Sequence, residues 1–272
     1  MQDESTTRRR GRPRGWDDKT EQNTIKSLDR AMAVFEHLSG ASGLALTQLA
    51  EETGQSPATV YRILVTLEGR GMVEFDRDEQ LWHVGARSFV IGARFLRRTS
   101  LVERARPIMR RLMEETGETA NLGIEKEGAV LFLSQVETHS AIRAFFPPGT
   151  LSAMHASGIG KALLAFMDAG RLERVLSEPL ERFTERTLTD EKALLADLAR
   201  ARVRGYAVDD EEKNNGMRCI AAPVFDMNRE VVAGISVSGP VNRIGPQEME
   251  NLSRPVMRAA AALTLAIAGA RP

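Results

Sequence analysis

The chain of 272 residues has one cysteine, Cys219, and four histidines, His37, His83, His139 and His155. A lone cysteine excludes an internal disulfide and any cysteine-ligated metal cluster, and a free thiol fits a reducing, cytosolic compartment. The histidines stand far apart with no HxH or HxxxH spacing, so neither a metal site nor a zinc enzyme is expected, and no cofactor. Long apolar runs are also missing. The longest uncharged stretch near the C-terminus, Ala259 to Ala270, is 12 residues. A bilayer needs ~20, so no membrane partner is expected. The first residues carry no apolar stretch, which predicts no secretory leader. Neither sign of charge is in excess: 37 Lys and Arg balance 37 Asp and Glu. At face value that argues against a polyanionic partner, but an average is silent about distribution.

What is present is ordinary for a globular chain, with 42% hydrophobic and 27% charged residues. The length predicts two domains of roughly 100–200 residues, or one large one. Residues 1–21 are polar without periodicity and are expected to form a disordered basic arm. Within it, Arg8-Arg9-Arg10-Gly11-Arg12-Pro13-Arg14 places five arginines in seven positions. Glycine allows close backbone approach and proline stiffens an extended path. Extended arginines such as Arg10 and Arg12 suit the narrow, negative minor groove of A·T-rich DNA, and the core resembles an AT-hook. The alternative is a solvated charge run.

Residues 22–85 predict a winged helix-turn-helix. Ile25, Leu28, Met32, Phe35 and Leu38 describe one helical face. A second helix runs from about Thr47 to Thr53 with Leu49 and Ala50 inward, and Gly54 ends it as a left-handed residue would. Ser56 caps a third helix with Pro57 in its first position. That helix continues to about Arg70, burying Val60, Ile63, Leu64 and Leu67. Strands over 72–75 and 81–84, joined by Asp76 to Glu79, form the wing. The third helix would enter the DNA major groove, with Arg62 the candidate for base readout and Ser56, Thr59 and Tyr61 beside it. The competing reading is a three-helix protein-interaction module.

Residues 86–100 predict an amphipathic connecting helix, with Phe89, Ile91, Phe95 and Leu96 available to a partner. Residues 101–272 mix helices (101–116, 157–167, 189–204, 247–268) with strands (119–124, 129–137, 142–146, 206–209, 218–225, 231–238). Strands that return through hairpins predict an α+β domain with an antiparallel sheet of the GAF/PAS kind.

In that domain, His155 to Ala162 imitates a phosphate loop. It fails, because His155 stands where glycine is required and Ala162 where Ser or Thr is required. What remains is a helix N-terminus at Ser157 and Gly158, whose free N–H groups suit an anion, or which is simply a capped helix. Cys219 has no local base and reads by default as a small buried hydrophobe. Ser236 and Ser238 share one face of an apolar strand, and buried hydroxyls need partners. A carboxylate ligand would be one.

From about residue 24 the chain resembles the IclR family of bacterial transcriptional regulators. The matching stretches are Lys26 to Ala31, Ser56-Pro-Ala-Thr-Val-Tyr-Arg-Ile-Leu64, His155 to Ala162, Gly205 to Glu212, and Cys219-Ile-Ala-Ala-Pro-Val224. The resemblance implies a winged helix-turn-helix on double-stranded promoter DNA, a connecting helix and an effector-binding domain. It also implies homodimers that pair into homotetramers, in a cytoplasmic, nucleoid-associated protein. The Arg-Gly-Arg-Pro arm, Asp209, Cys219 and Ser236-Val-Ser-Gly-Pro240 resemble the glyoxylate-responsive branch. By that likeness a small 2-oxo acid, glyoxylate, would meet backbone N–H groups of Ser157, Gly158 and Ile159 and hydroxyls of Ser236 and Ser238, with Cys219 and Asp209 closing the pocket. Asp209 beside an anion is unfavourable unless the ligand is hydrated, Asp209 accepts a hydrogen bond, or it is protonated. Two alternatives stay open. One is a family member sensing an aromatic or sugar acid, whose deep pocket side chains near Phe145 and Phe146 would fill. The other is an enzyme acting on a 2-oxo acid through Cys219 or His155.

The zero net charge now has structure. Residues 22–85 hold five basic and nine acidic residues, while 86–100 hold four basic and none acidic. An acidic DNA-binding unit cannot rely on bulk attraction, so its phosphate contacts must come from placed residues, the arm and the connector.

Overall fold

A computed structural model describes residues 24–99 and 101–268, with backbone alone over 95–99. The basic arm, with Arg10 and Arg12, lies outside the described residues. The chain divides into two compact units between Arg94 and Phe95.

The first unit contains α1 (Lys26–Ser39), α2 (Leu46–Glu52), α3 (Pro57–Glu68), β1 (Val73–Asp76), β2 (Leu81–Val84) and the larger part of α4 (Ala86–Thr99), which runs across the boundary. The turn between α2 and α3 is built as the sequence predicts. Gly54 has φ +63°, and Gln55 N donates to Ala50 O (3.0 Å) while Gly54 N donates to Glu51 O (3.1 Å). That pair of bonds is the Schellman arrangement. Ser56 then caps α3, its hydroxyl accepting from Thr59 N. Val34, Leu38, Leu49, Ala50, Val60, Leu64, Val73 and Trp82 form the core.

The apolar faces of α1 and α4 are left partly uncovered within the unit. The apolar face of α1 is only half used: residues 24–30 are all exposed, and burial begins at Ala31 and passes through Val34, Phe35 and Leu38. Ile25, Leu28 and Met32 stay exposed. On α4, Phe89 and Ile91 are likewise exposed. Phe95 and Leu96 lie among the residues described by backbone alone.

The second unit contains α5 (Leu101–Thr116), β3 (Thr119–Lys126), β4 (Ala129–Val136), β5 (Leu151–Ala153), α6 (Gly158–Phe166), α7 (Ala169–Leu176), α8 (Glu191–Arg204), β6 (Ala207–Asp210), β7 (Met217–Phe225), β8 (Val231–Pro240) and α9 (Pro246–Ala268). The six strands form one antiparallel sheet in the order β5-β4-β3-β8-β7-β6. Alternation along the strands sends Ala120, Leu122, Ile220, Ala222, Ile235 and Val237 to a core shared with α5 and α9. The opposite face packs on α6 and α8. Residues 142–146 form no strand, although their pattern alternates. Ile142 and Phe145 are exposed, Ile142 O accepts from Arg243, and the edge strand is β5 instead. Helix α7, absent from the sequence reading, buries no residue fully; Leu172, Val175 and Leu176 pack half-buried against the α6 core and Asp168 caps its start. Among the described residues no helix is long and apolar enough to cross a membrane.

Helix α6 positions the site. Every residue from Gly158 to Ala165 is buried, as in a helix enclosed on all sides. It reaches the sheet across glycines. Gly123 and Gly234 are paired neighbours on β3 and β8, and Ile159 lies on them. A Cβ on Gly234 would fall 2.8 Å from Ile159 Cγ2, and one on Gly160 would fall 2.1 Å from Met154 O. Gly160→Ala is therefore expected to lower the stability of this unit by about 1–3 kcal/mol in denaturant unfolding. An unchanged midpoint would show that α6 has slack.

Candidate ligand site and nucleic-acid interface

Strand register assembles the polar residues into two rows on the α6 face of the sheet. One row crosses four strands as Thr119 (β3), Ser238 (β8), Cys219 (β7) and Asp209 (β6). The next holds Gln135 (β4), Asn121 (β3), Ser236 (β8) and Ala221 (β7). The N-terminus of α6 closes on the first row, since a Cβ on Gly158 would fall 2.7 Å from Cys219 Sγ. Ser157 caps α6, accepting from Gly160 N (3.3 Å). Lys161 N makes the first intrahelical bond, to Ser157 O (2.8 Å). The amides of Gly158 and Ile159 precede it and are the free donors of a helix start.

Between helix and row lies a cavity of about 20 Å³, roughly the space of one water. Ser157, Gly158, Ile159, Asp209, Cys219 and Ser238 line it, so six of the seven residues expected there come together. Ser236 does not. It is fully buried one row further in, bonded by Asn121. Phe132, Phe146 and Lys213 also line the cavity and were not foreseen as ligand contacts. Phe146 stacks on Phe132 at 4.9 Å. Phe145, expected beside it, is 65% exposed.

The electrostatics are unusual. Burial, then the Glu212 charge, raises the Asp209 carboxyl to about 7, against the pull of backbone N–H groups and Lys161. Its Oδ1 accepts from Glu212 N (2.7 Å) and Lys213 N (3.4 Å). Burial, then Asp209, raises the Cys219 thiol to about 11, partly offset by hydrogen bonds from Ser238 and Ser236. Lys213 sits 3.2 Å over the Phe183 ring, and desolvation lowers its pKa.

Lys161, the lone charge of α6, is 1% exposed. Its Nζ binds Asp197 Oδ2 on α8 (2.8 Å) and Glu212 Oε1 (2.5 Å). Burial raises the pKa of Glu212 despite this contact. For Asp197 burial acts the same way, but Lys161, Arg204 and Arg200 overcome it and hold the acid low. His155 Nε2 donates to Glu181 O (2.9 Å), and its ring stacks on Phe183. A thiol held protonated is a poor nucleophile, and His155 is bonded elsewhere.

In the first unit, Tyr61 is 53% exposed, Arg62 is exposed and Thr59 is half-buried, its hydroxyl 2.9 Å from that of Ser56. Arg62 and Thr59 line a groove of about 1170 Å³ together with Arg30, Thr66, Arg70, Arg87 and apolar Leu28, Ile63 and Ile91. Asp76, Glu79 and His83 on the wing lie close enough to share an ion. Asp76 Oδ1 already accepts two backbone N–H groups and His83 Nδ1 donates to Ser42 O. They close the hairpin.

Residues 27–77 match the model of the IclR helix-turn-helix domain, and residues 93–265 match that of the bacterial transcriptional regulator IclR C-terminal domain. The chain belongs to the IclR family. It is similar to the HTH-type transcriptional regulator BhcR of Paracoccus denitrificans, 54% identical over 265 residues, 96% of this chain and 95% of that one. It is 37% identical over 251 residues to the transcriptional repressor IclR of Escherichia coli, covering 91% and 92% of the two chains. An IclR homolog from Microbacterium hydrocarbonoxydans, solved in complex with 4-hydroxybenzoate, shares the fold. Its TM-score is 0.80 at 24% identity, covering 90% of this chain and 100% of that one.

This IclR-family chain is thus a DNA-binding transcriptional regulator with a C-terminal effector-binding domain, and the enzyme and protein-module readings fall. Three residues escaped the sequence reading but had signals in it. Asn121 interrupts an apolar strand at the spacing of Thr119, Lys161 is a single charge in an apolar helix, and Lys213 follows Asp209 by four residues. Lys161→Met is expected to lower stability by about 3–5 kcal/mol, because Glu212 would be left as an uncompensated buried charge and Asp197 would keep only Arg200 and Arg204. Chemical denaturation measures it. A loss below 1 kcal/mol would mean that both acids simply take up protons.

Proposed function

We propose that the regulator senses a small carboxylate, glyoxylate, in the cavity between the α6 N-terminus and the Thr119–Asp209 row, and that this sets its affinity for operator DNA. The cavity carries the reading. Helix-start amides, Ser238 and Lys213 offer donors and positive charge to an anion. Little space remains, and the Phe132–Phe146 stack occupies the side an aromatic acid would need. With its carboxyl raised to about 7, Asp209 can hold the proton that an adjacent anion requires. In a more distant homolog, 4-hydroxybenzoate marks a bulkier ligand.

DNA is contacted by α3, with Arg62 reading a base, Tyr61, Thr59 and Ser56 beside it, and Arg10 and Arg12 of the arm in the minor groove. Exposed Ile25, Leu28 and Met32 on α1 and Phe89 and Ile91 on α4 suit a homodimer formed through the DNA-binding half, with dimers pairing to a tetramer. The domains are the arm (1–21), the winged helix-turn-helix (22–85), the connector (86–100) and the effector domain (101–272). A ligand that prefers one arrangement shifts DNA affinity by its differential affinity, typically about 1–3 kcal/mol.

Titrated glyoxylate is expected to change operator affinity in a gel shift, and no change overturns the assignment. Its affinity is expected to fall between about pH 6 and about pH 8, approaching tenfold per unit, as Asp209 gains charge near the ligand. Calorimetry across that window checks it, and a flat or rising profile removes the proton from Asp209. Arg62→Ala is expected to cost about 1–3 kcal/mol on the operator and little on unrelated DNA, while deleting Arg8 to Arg14 weakens both and flattens the salt slope. Equal losses on all sequences for Arg62→Ala would reassign it to the backbone.

A further inference from the structure

The serine pair is held from behind. Asn121 is fully buried, and its Nδ2 donates to Ser238 Oγ (3.2 Å) and reaches Ser236 Oγ (3.5 Å). Its Oδ1 accepts from Gln135 Nε2 on β4 (2.9 Å). A side-chain amide donates only through nitrogen and accepts only through oxygen. With Gln135 Nε2 on Oδ1, the Nδ2 end of Asn121 faces the serines. Each serine hydroxyl has one proton, and neither can point at Nδ2, which has no lone pair to receive it. Ser238, which lines the cavity beside Cys219, can therefore offer its proton on that side, while Ser236 backs it one row further in.

We infer that Gln135 and Asn121 form a relay of amides that sets the polarity of the ligand site, turning the Ser238 hydroxyl into a donor so that it selects a carboxylate over a neutral amide of the same shape. Both are positioning residues. Asn121 lies one row behind the cavity and Gln135 one strand further, and neither lines it. The inference rests on the effector reading above and adds the origin of its selectivity. With a hydroxyl held as a donor, a ligand carboxylate meets a partner, whereas a ligand amide N–H meets another donor. A buried polar group left unmatched is the costlier outcome.

The test is calorimetry on the full chain with glyoxylate and with the neutral glyoxylamide. Gln135 is half-buried, so Gln135→Glu is compatible with the fold. Its carboxylate only accepts, which draws Asn121 Nδ2 toward it and turns Oδ1 to the serines, so that the Ser238 proton then leaves the cavity. Glyoxylate binding is expected to weaken about ten- to hundredfold while glyoxylamide changes little, so the selectivity ratio falls at unchanged Tm. Asn121→Asp, which also presents acceptor oxygen to the serines, should lower the same ratio. The added charge of Gln135→Glu is controlled in a Ser236→Ala/Ser238→Ala background. There it should cost no more than about twofold, because no hydroxyl remains to reorient. An equal loss in that background means through-space repulsion and overturns the relay. A wild type that binds glyoxylate beside a Gln135→Glu variant with unchanged affinity and ratio overturns the relay and leaves the effector reading standing. A wild type that binds no small carboxylate overturns both.

Discussion

A helix buried along its whole first face and back must bring its polar start into the interior, and the ligand site grows out of that constraint. The first eight residues of α6 are buried. Close approach to the sheet is possible because Gly123, Gly158, Gly160 and Gly234 leave room for Ile159, Cys219 Sγ and the Met154 backbone. The helix start then brings its free amides into the buried interior, a favourable place for negative charge. Lys161, one turn in, brings a cation into the same interior, and Asp197 and Glu212 hold it there. The ion cluster and the anion site are two answers to one burial problem.

The same burial separates the roles of the polar groups. Desolvation opposes charge on both Asp209 and Cys219, so the row across the sheet presents a carboxyl near neutrality and a protonated thiol. That makes it a binding surface rather than a reactive one. A nucleophilic thiol requires a nearby base and a lowered pKa, and this site moves the thiol the opposite way.

Much of this architecture is legible in the sequence because it is local. Ser56-Pro57 and Gly54 declare the turn between α2 and α3, glycines end the helices, and the spacing of Ser236 and Ser238 puts both hydroxyls on one face. What escapes is set by distant partners. The alternation of residues 142–146 imitates a strand, yet no neighbour pairs with it, and the three residues of β5 pair with β4 instead. The apolar stripe of α1 runs past its own core, since periodicity shows that a face is apolar without showing how much of it is covered. Asn121 and Lys161 look like interruptions of apolar segments until register and packing place Ser238 beside one and Glu212 beside the other. Ser236 falls one row behind the cavity for the same reason: sharing a face fixes direction but not depth.

The register that joins Asn121 to Ser236 closes a loop of 115 residues. Contacts of such long range form late, after their loop-closure entropy has been met. During synthesis the helix-turn-helix unit, ended by Arg94, leaves the ribosome well before β7 and β8 exist, and domains generally fold as units in that order. A nascent chain can therefore hold a finished DNA-binding unit for a time before it has any site through which a metabolite could govern it. Sensitivity to the effector is the last property the chain acquires.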